Sequence, residues 1–219
     1  MIPVLLQDDD FLVVEKPGGI PTQPLKDPSQ VTVASQLSKQ FPEIKSVGGF
    51  DWGAVHRLDI ETSGLVIFAR NQKTYDHFRK LFSSNKIEKE YLALVHENIL
   101  KPGKITWPIG PDPKSAKRVK VYQDKREAIR NKAQEAMTFY TPLSQKDQKT
   151  LLKIKIKTGR RHQIRAHLAF IGHPIVGDKI YGNKKTGERT SPLRLHAHRL
   201  IFLHPVSGKK LEIVSKQSL

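Results

Sequence analysis

One apolar run constrains this chain more than any other feature. Gly64-Leu65-Val66-Ile67-Phe68-Ala69 contains no polar side chain. A run this short and this apolar reads as a strand buried on both faces of a sheet. It follows directly on a loop crowded with polar groups, His56-Arg57-Leu58-Asp59-Ile60-Glu61-Thr62-Ser63. A loop that feeds a buried strand sits at a sheet end, where rigid scaffolds present chemistry. Composition alone leaves a second reading open, a turn closed by an Arg–Asp ion pair.

The remaining elements are read from periodicity. Phe11-Leu12-Val13-Val14 predicts a buried strand ending at Lys16-Pro17-Gly18-Gly19. Residues 20–30 read as a loop. Val31 to Phe41 predicts a helix with Ala34, Leu37 and Phe41 on one face, stopped by Pro42. Asn71 to Lys86 carries Tyr75, Phe78, Leu81 and Phe82 at helical spacing, an amphipathic helix. Residues 90–95 are strand-like. Residues 101–113 are rich in Pro and Gly and read as a long connection. Residues 151–157 alternate strictly, which predicts a half-exposed strand presenting Lys153, Lys155 and Lys157 on one face. Arg161 to Ile171 fits a short helix with Gly172 as its stop, and Leu195 to Leu203 another strand. Short strands with irregular helices indicate an α+β fold. Without a clear linker, the chain reads as one domain over 1–219.

Charge narrows the partner. Lys plus Arg number 38 against 21 Asp plus Glu, a net of +17. Residues 1–100 carry a net of −2 and residues 101–219 a net of +19. Within the second part, residues 114–132 hold eight basic side chains, Lys117, Arg118 and Lys120 among them. Such a run is either a solvated loop or a surface for phosphates. The absence of cysteine excludes disulfides, thiol nucleophiles and Cys-based metal sites. The acidic start, Asp8-Asp9-Asp10, is unlike a signal peptide, and no apolar run nears the ~20 residues of a membrane span. A cytoplasmic protein with a polyanionic partner and no membrane association is expected.

The polar loop then acquires a family. His56-Arg57-Leu58-Asp59-x-x-Thr62-Ser63-Gly64-Leu65 resembles the signature of the RluA family of RNA pseudouridine synthases. Four further blocks are similar and occur in family order: Glu15-Lys16-Pro17-x-Gly19; Lys89-x-Tyr91-x-Ala93-x-Val95; Thr158-Gly159-Arg160-Arg161-His162-Gln163-Ile164-Arg165-Ala166-His167 with Gly172-His173-Pro174-Ile175-Val176-Gly177-Asp178 and Tyr181-Gly182; and Leu195-His196-Ala197 with Leu200, Phe202, His204 and Pro205. Together they span almost the whole chain. Three positions depart from the family pattern. Gln23 stands where the family usually has His, Arg161 where it has Thr or Ser, and Glu135 where Thr follows Ala-Gln.

The resemblance implies a single catalytic domain on a mixed, largely antiparallel sheet, with flanking helices and loops and an active-site cleft across the sheet. It implies isomerisation of uridine to pseudouridine in ribosomal or transfer RNA. The glycosidic bond breaks, the uracil turns, and C5 bonds to C1′, so no cofactor is required. The resemblance assigns Asp59 as the essential carboxylate, Arg165 as its cationic partner and Tyr91 as the active-site tyrosine. A stacked uridine cannot offer C1′ to a carboxylate, so the base must flip out. Arg57 is placed by spacing and resemblance to fill the vacated space. Arg160, Arg161, His162 and Gln163 are expected to grip the RNA backbone, with Lys117, Arg118 and Lys120 adding outer contacts. His56 is expected to be a structural hydrogen-bonder. His162 and His167 are five apart rather than four, which weighs against a helical metal pair, and no metal is expected. With a first strand near Val4, no S4-type domain is expected; a monomer is expected as well. Two other readings are a non-catalytic RNA-binding protein of the same fold and a hydrolase using Asp59, the latter lacking an evident second carboxylate or metal.

Overall fold

Strand pairing follows from where the chain can hide its backbone. The computed structural model describes residues 1–24, 30–182, 191–217 and 219. The loop expected over 20–30 lies partly outside the described residues. Packing divides the chain into two compact units, Met1–Lys89 with Ala197–Ser218, and Glu90–His196 with Leu219.

In the first unit, β1 (Val4–Gln7), β2 (Phe11–Lys16), β3 (Ser63–Ala69) and β10 (Leu195–Leu203) lie in that order, and β11 (Lys210–Val214) pairs with β10. Strands β2 and β3 run antiparallel from Phe11 opposite Ala69 to Lys16 opposite Gly64. All six residues of β2 are buried, which explains its near-continuous apolar character. Phe11, Val13, Leu65 and Ile67 pack on one face, against Tyr75 and Phe78 of α2 (Gln72–Ser83). Leu12, Val14, Val66 and Phe68 pack on the other, against Val33, Ala34 and Leu37 of α1 (Val33–Leu37). Phe78 is fully buried and meets Phe11 edge-on at 5.3 Å.

Helix α2 forms where its spacing predicts, with the Asn71 side chain accepting from Thr74 N–H at 2.9 Å. Helix α1 is shorter than expected. Thr32 and Ser35 form a reciprocal cap at its start. Lys39 and Gln40 then donate to carbonyls three residues back, and Pro42 cannot continue the ladder. Pro42–Ser46 forms a 3-10 turn instead.

The second unit orders β4 (Glu88–His96), β9 (Lys149–Ile156), β8 (Thr138–Lys146) and β5 (Gly103–Ile105). The β4–β9, β8–β9 and β5–β8 pairs are antiparallel. Strand β9 buries Thr150, Leu152, Ile154 and Ile156 in alternation, as its pattern predicts. A separate ribbon pairs β6 (Ile109–Asp112) with β7 (Ser115–Val121), followed by α3 (Lys125–Arg130). Residues 101–113 are therefore not a plain connection. Their prolines are compatible with pairing because β5 ends its sheet and the β6–β7 ribbon has only two strands, so a missing N–H costs no interior bond. The basic run at 114–132 is likewise built into β7 and α3 rather than left as a loop. Helix α4 (Gln163–Phe170) ends at Gly172, whose φ of +89° suits a residue without Cβ. The fold is α+β. Among the described residues no helix is long and apolar enough to cross a membrane.

Candidate active site

In the first unit, the loop ahead of β3 carries Asp59, and the block around Lys16 holds that loop in place. Lys16 is fully buried at the end of β2. Its ammonium donates to the carbonyls of Pro17 at 2.9 Å, Ile60 at 2.8 Å and Thr62 at 2.7 Å. An ammonium has three donors, so its capacity is filled by backbone, two of the three bonds going to the residues just after Asp59. Gly19 N–H donates to the Ile60 carbonyl at 2.8 Å, and Leu58 N–H to the Thr22 hydroxyl at 3.3 Å. Thr62 N–H closes a turn onto the Asp59 carbonyl at 3.1 Å. Two sequence blocks separated by some forty residues thus form one rigid platform. Asp59 is half-buried on it. Burial pushes the Lys16 ammonium down to about 8, against the opposing pull of the Asp59 and Glu61 charges.

His56 is a structural group, as expected. Its Nε2 accepts from Ile67 N–H at 3.1 Å, and its ring stacks on Phe82 at 4.3 Å. Burial, reinforced by the Lys89 and Arg79 charges, lowers its pKa to about 3, so the ring is neutral with its proton on Nδ1. Arg57 is exposed beside it.

In the second unit, Tyr91 lies on β4 opposite Ile154 and is 9% exposed. Arg165, on α4, is 2% exposed. Its Nε donates to Asp178 Oδ2 at 2.8 Å and one Nη to Asp178 Oδ1 at 2.9 Å. Asp178 Oδ1 also accepts from the N–H groups of Ile180 and Tyr181, each at 2.9 Å. Burial alone would raise the Asp178 carboxyl, but the Arg165 guanidinium and these two amides hold it below the usual carboxylate range. A guanidinium gripped through two of its nitrogens has a fixed plane and direction. Asp178 and Tyr181 stand in a family-like block of the sequence, Gly172 to Gly182, but were assigned no role there.

The residues expected to grip RNA divide by task. Gln163 is only 3% exposed, and its amide is fully engaged. It donates to the Met137 carbonyl and the Thr138 hydroxyl and accepts from the Thr158 hydroxyl and Arg160 N–H. It therefore fastens the start of α4 rather than presenting a group to a backbone phosphate. His162 takes a positive φ of 52° at the cap of α4, with its Nδ1 3.1 Å from the Tyr181 hydroxyl. His167 instead faces Thr138 and the Trp107 carbonyl, away from that pair's partners. Arg161 donates to the carbonyls of Ala116 and Lys117, each at 3.2 Å, and Arg160 to that of Glu135 at 3.0 Å. These bonds bring residues 160–161 against β7, where Lys117, Arg118 and Lys120 are exposed. Two stretches of sequence some forty residues apart thus share one cationic surface.

The profile of the RNA pseudouridylate synthase family matches residues 10–170. An uncharacterized RNA pseudouridine synthase of Aquifex aeolicus is 37% identical over 219 residues, covering 95% of this chain and 67% of that one. Ribosomal large subunit pseudouridine synthase D of Nitrosomonas europaea is 32% identical over 217 residues, covering 96% and 60%. The chain thus spans about two thirds or less of these curated relatives. Among solved structures, human RNA pseudouridylate synthase domain containing 1 superposes with a TM-score of 0.81 at 25% identity, covering 99% of this chain and 84% of that chain.

Proposed function

Since this chain belongs to the RNA pseudouridylate synthase family, we propose that it isomerises uridines within RNA to pseudouridine, with Asp59 as the essential carboxylate. The observation that carries this reading is the Asp59 platform. A half-buried carboxylate sits on a loop locked by a buried ammonium, so its direction is set before substrate arrives.

Two routes use that carboxylate. It adds to C1′ as a nucleophile, or it removes a C2′ proton to give a glycal-like species. Both require an ionised, shielded Asp59. The family resemblance assigns Arg165 the compensating positive charge, and Asp178 holds its guanidinium in a fixed plane. Tyr91 stacks on the uracil and assists loss of the C5 proton. The target base is flipped out of its stack, at a cost of a few kcal/mol, and Arg57 fills the gap. Ribosomal RNA is the first substrate to test, given the name of the Nitrosomonas relative, and transfer RNA the second. We place the protein in the cytoplasm, acting as a monomer without a cofactor.

The test is pseudouridine formation in bulk ribosomal and transfer RNA by wild type and by Asp59→Asn. The rate is expected to fall by roughly 10³-fold or more in the variant. Activity surviving in Asp59→Asn sinks the assignment. Tight RNA binding without any turnover by wild type indicates a non-catalytic binder, and release of free uracil a glycosidase.

A further inference from the structure

The second unit contains a cleft of about 440 Å³ between the β6–β7 ribbon and the segment that leads into α4. Its walls carry Arg118, Lys132, Arg160 and Arg161, and its lining includes the buried side chains of Ile109 and Val119. One carboxylate, Asp112, partly offsets the charge, 3.8 Å from Arg118. We propose that this cleft holds one nucleotide of the RNA outside the target uridine, its phosphate on the arginines and its base against the apolar part of the cleft wall, close to the methyls of Ile109 and Val119.

Two observations argue for this occupant. First, the cations are placed in advance. Arg161 is held by two backbone carbonyls and Arg160 by one through Nε, and among the described residues no other hydrogen bond engages the Arg160 Nη fork. A fixed guanidinium fork matches a phosphate in geometry and loses little freedom on binding. Second, size and lining suit a nucleotide better than a bare anion. A cleft in the range of a few hundred Å³ with an apolar floor and a few polar groups accepts a flat ring together with its charged tail.

The cleft is also wired to Arg165. Val119 N–H donates to the Tyr181 hydroxyl at 2.8 Å, and the Tyr181 ring lies 5.1 Å from the Arg118 guanidinium and 5.6 Å from that of Arg165. Tyr181 is thus a shared neighbour of two cleft residues, Arg118 and Val119, and of the candidate catalytic arginine.

The proposal rests on the protein acting on RNA, but its test reads binding rather than turnover. Methyl-labelled protein is titrated with AMP, GMP, CMP, UMP, inorganic phosphate and a mixed single-stranded hexaribonucleotide, while the Ile109 and Val119 methyl resonances are followed. Saturable shifts with nucleotides and with the hexamer, and much smaller ones with phosphate, are expected. The Arg118→Gln/Arg161→Thr double variant should weaken both by about tenfold or more. Unmoved methyls overturn the proposal, as do equal shifts with inorganic phosphate. Free nucleotides that bind without competition from the hexamer also overturn it, since the cleft would then serve a small molecule. Failure of the isomerase reading appears separately, as absent pseudouridine with the cleft still binding.

Discussion

Lys16 holds a charge where burial disfavours one, and the Asp59 loop depends on that charge. The ammonium fills three carbonyls, but a neutral amine has only two N–H groups. With its pKa lowered to about 8 by burial, Lys16 loses its proton at mildly alkaline pH. The rate of pseudouridine formation is therefore predicted to fall as pH rises through about 8. Stability moves the other way. The folded value lies below the ordinary 10.5, so between about 8 and 10.5 the unfolded chain keeps a proton that the folded chain has released. Through this group, the fold gains stability as pH rises across that window. An alkaline loss of rate without a matching loss of melting temperature is the signature. Lys16→Met, which keeps the length but removes every donor, should be slow at all pH values and lack the alkaline limb. A wild-type profile flat to pH 9.5 would refute the role.

Among the elements, β3 shows how a motif glycine answers to packing. Gly64 has a φ of +116°, and a Cβ there would collide with the backbone N and O of Ala197 on β10. The glycine in Thr62-Ser63-Gly64-Leu65 thus lets β10 come close to the strand that follows the candidate catalytic loop. Gly64→Ala is predicted to destabilise the fold by about 3 kcal/mol, combining overpacking with an unfavourable backbone region. Urea unfolding should show a lower midpoint; a midpoint unchanged from wild type would mean the strands adjust freely. Strands such as β3, β9 and β10, and helix α2, were legible because their periodicity and their tertiary environment agree. The 101–132 region was not, because pairing at open strand edges tolerates the prolines that read as breakers. Helix α1 was overextended because Ala34, Leu37 and Phe41 share a face that a helix and a 3-10 turn both bury. Asp59 was legible through its motif. The Lys16 clamp and the Arg165–Asp178 pair were not, since both depend on residues far apart in sequence meeting in space.

For the molecule as a whole, the charge asymmetry acquires a physical basis. The first hundred residues are near neutral and carry the proposed catalytic carboxylate, Asp59. Residues 101–219 carry the net +19. Part of that excess is gathered, for Lys117, Arg118 and Lys120 stand along β7, with Arg160 and Arg161 bonded in beside them. A surface of this kind binds RNA by displacing its condensed counterions. If about six phosphates are neutralised on single-stranded RNA, log K should fall linearly with log salt, with a slope on the order of −4. Measuring hexamer or ribosomal RNA affinity between low and physiological potassium chloride gives that slope. Removing Arg118 and Arg161 together should flatten it by roughly one to two. Substitutions at Asp59 or Tyr91 should leave it nearly unchanged, because neither side chain can release a counterion from a phosphate. A slope near zero in wild type would mean that the basic half of this protein serves solubility and not RNA contact.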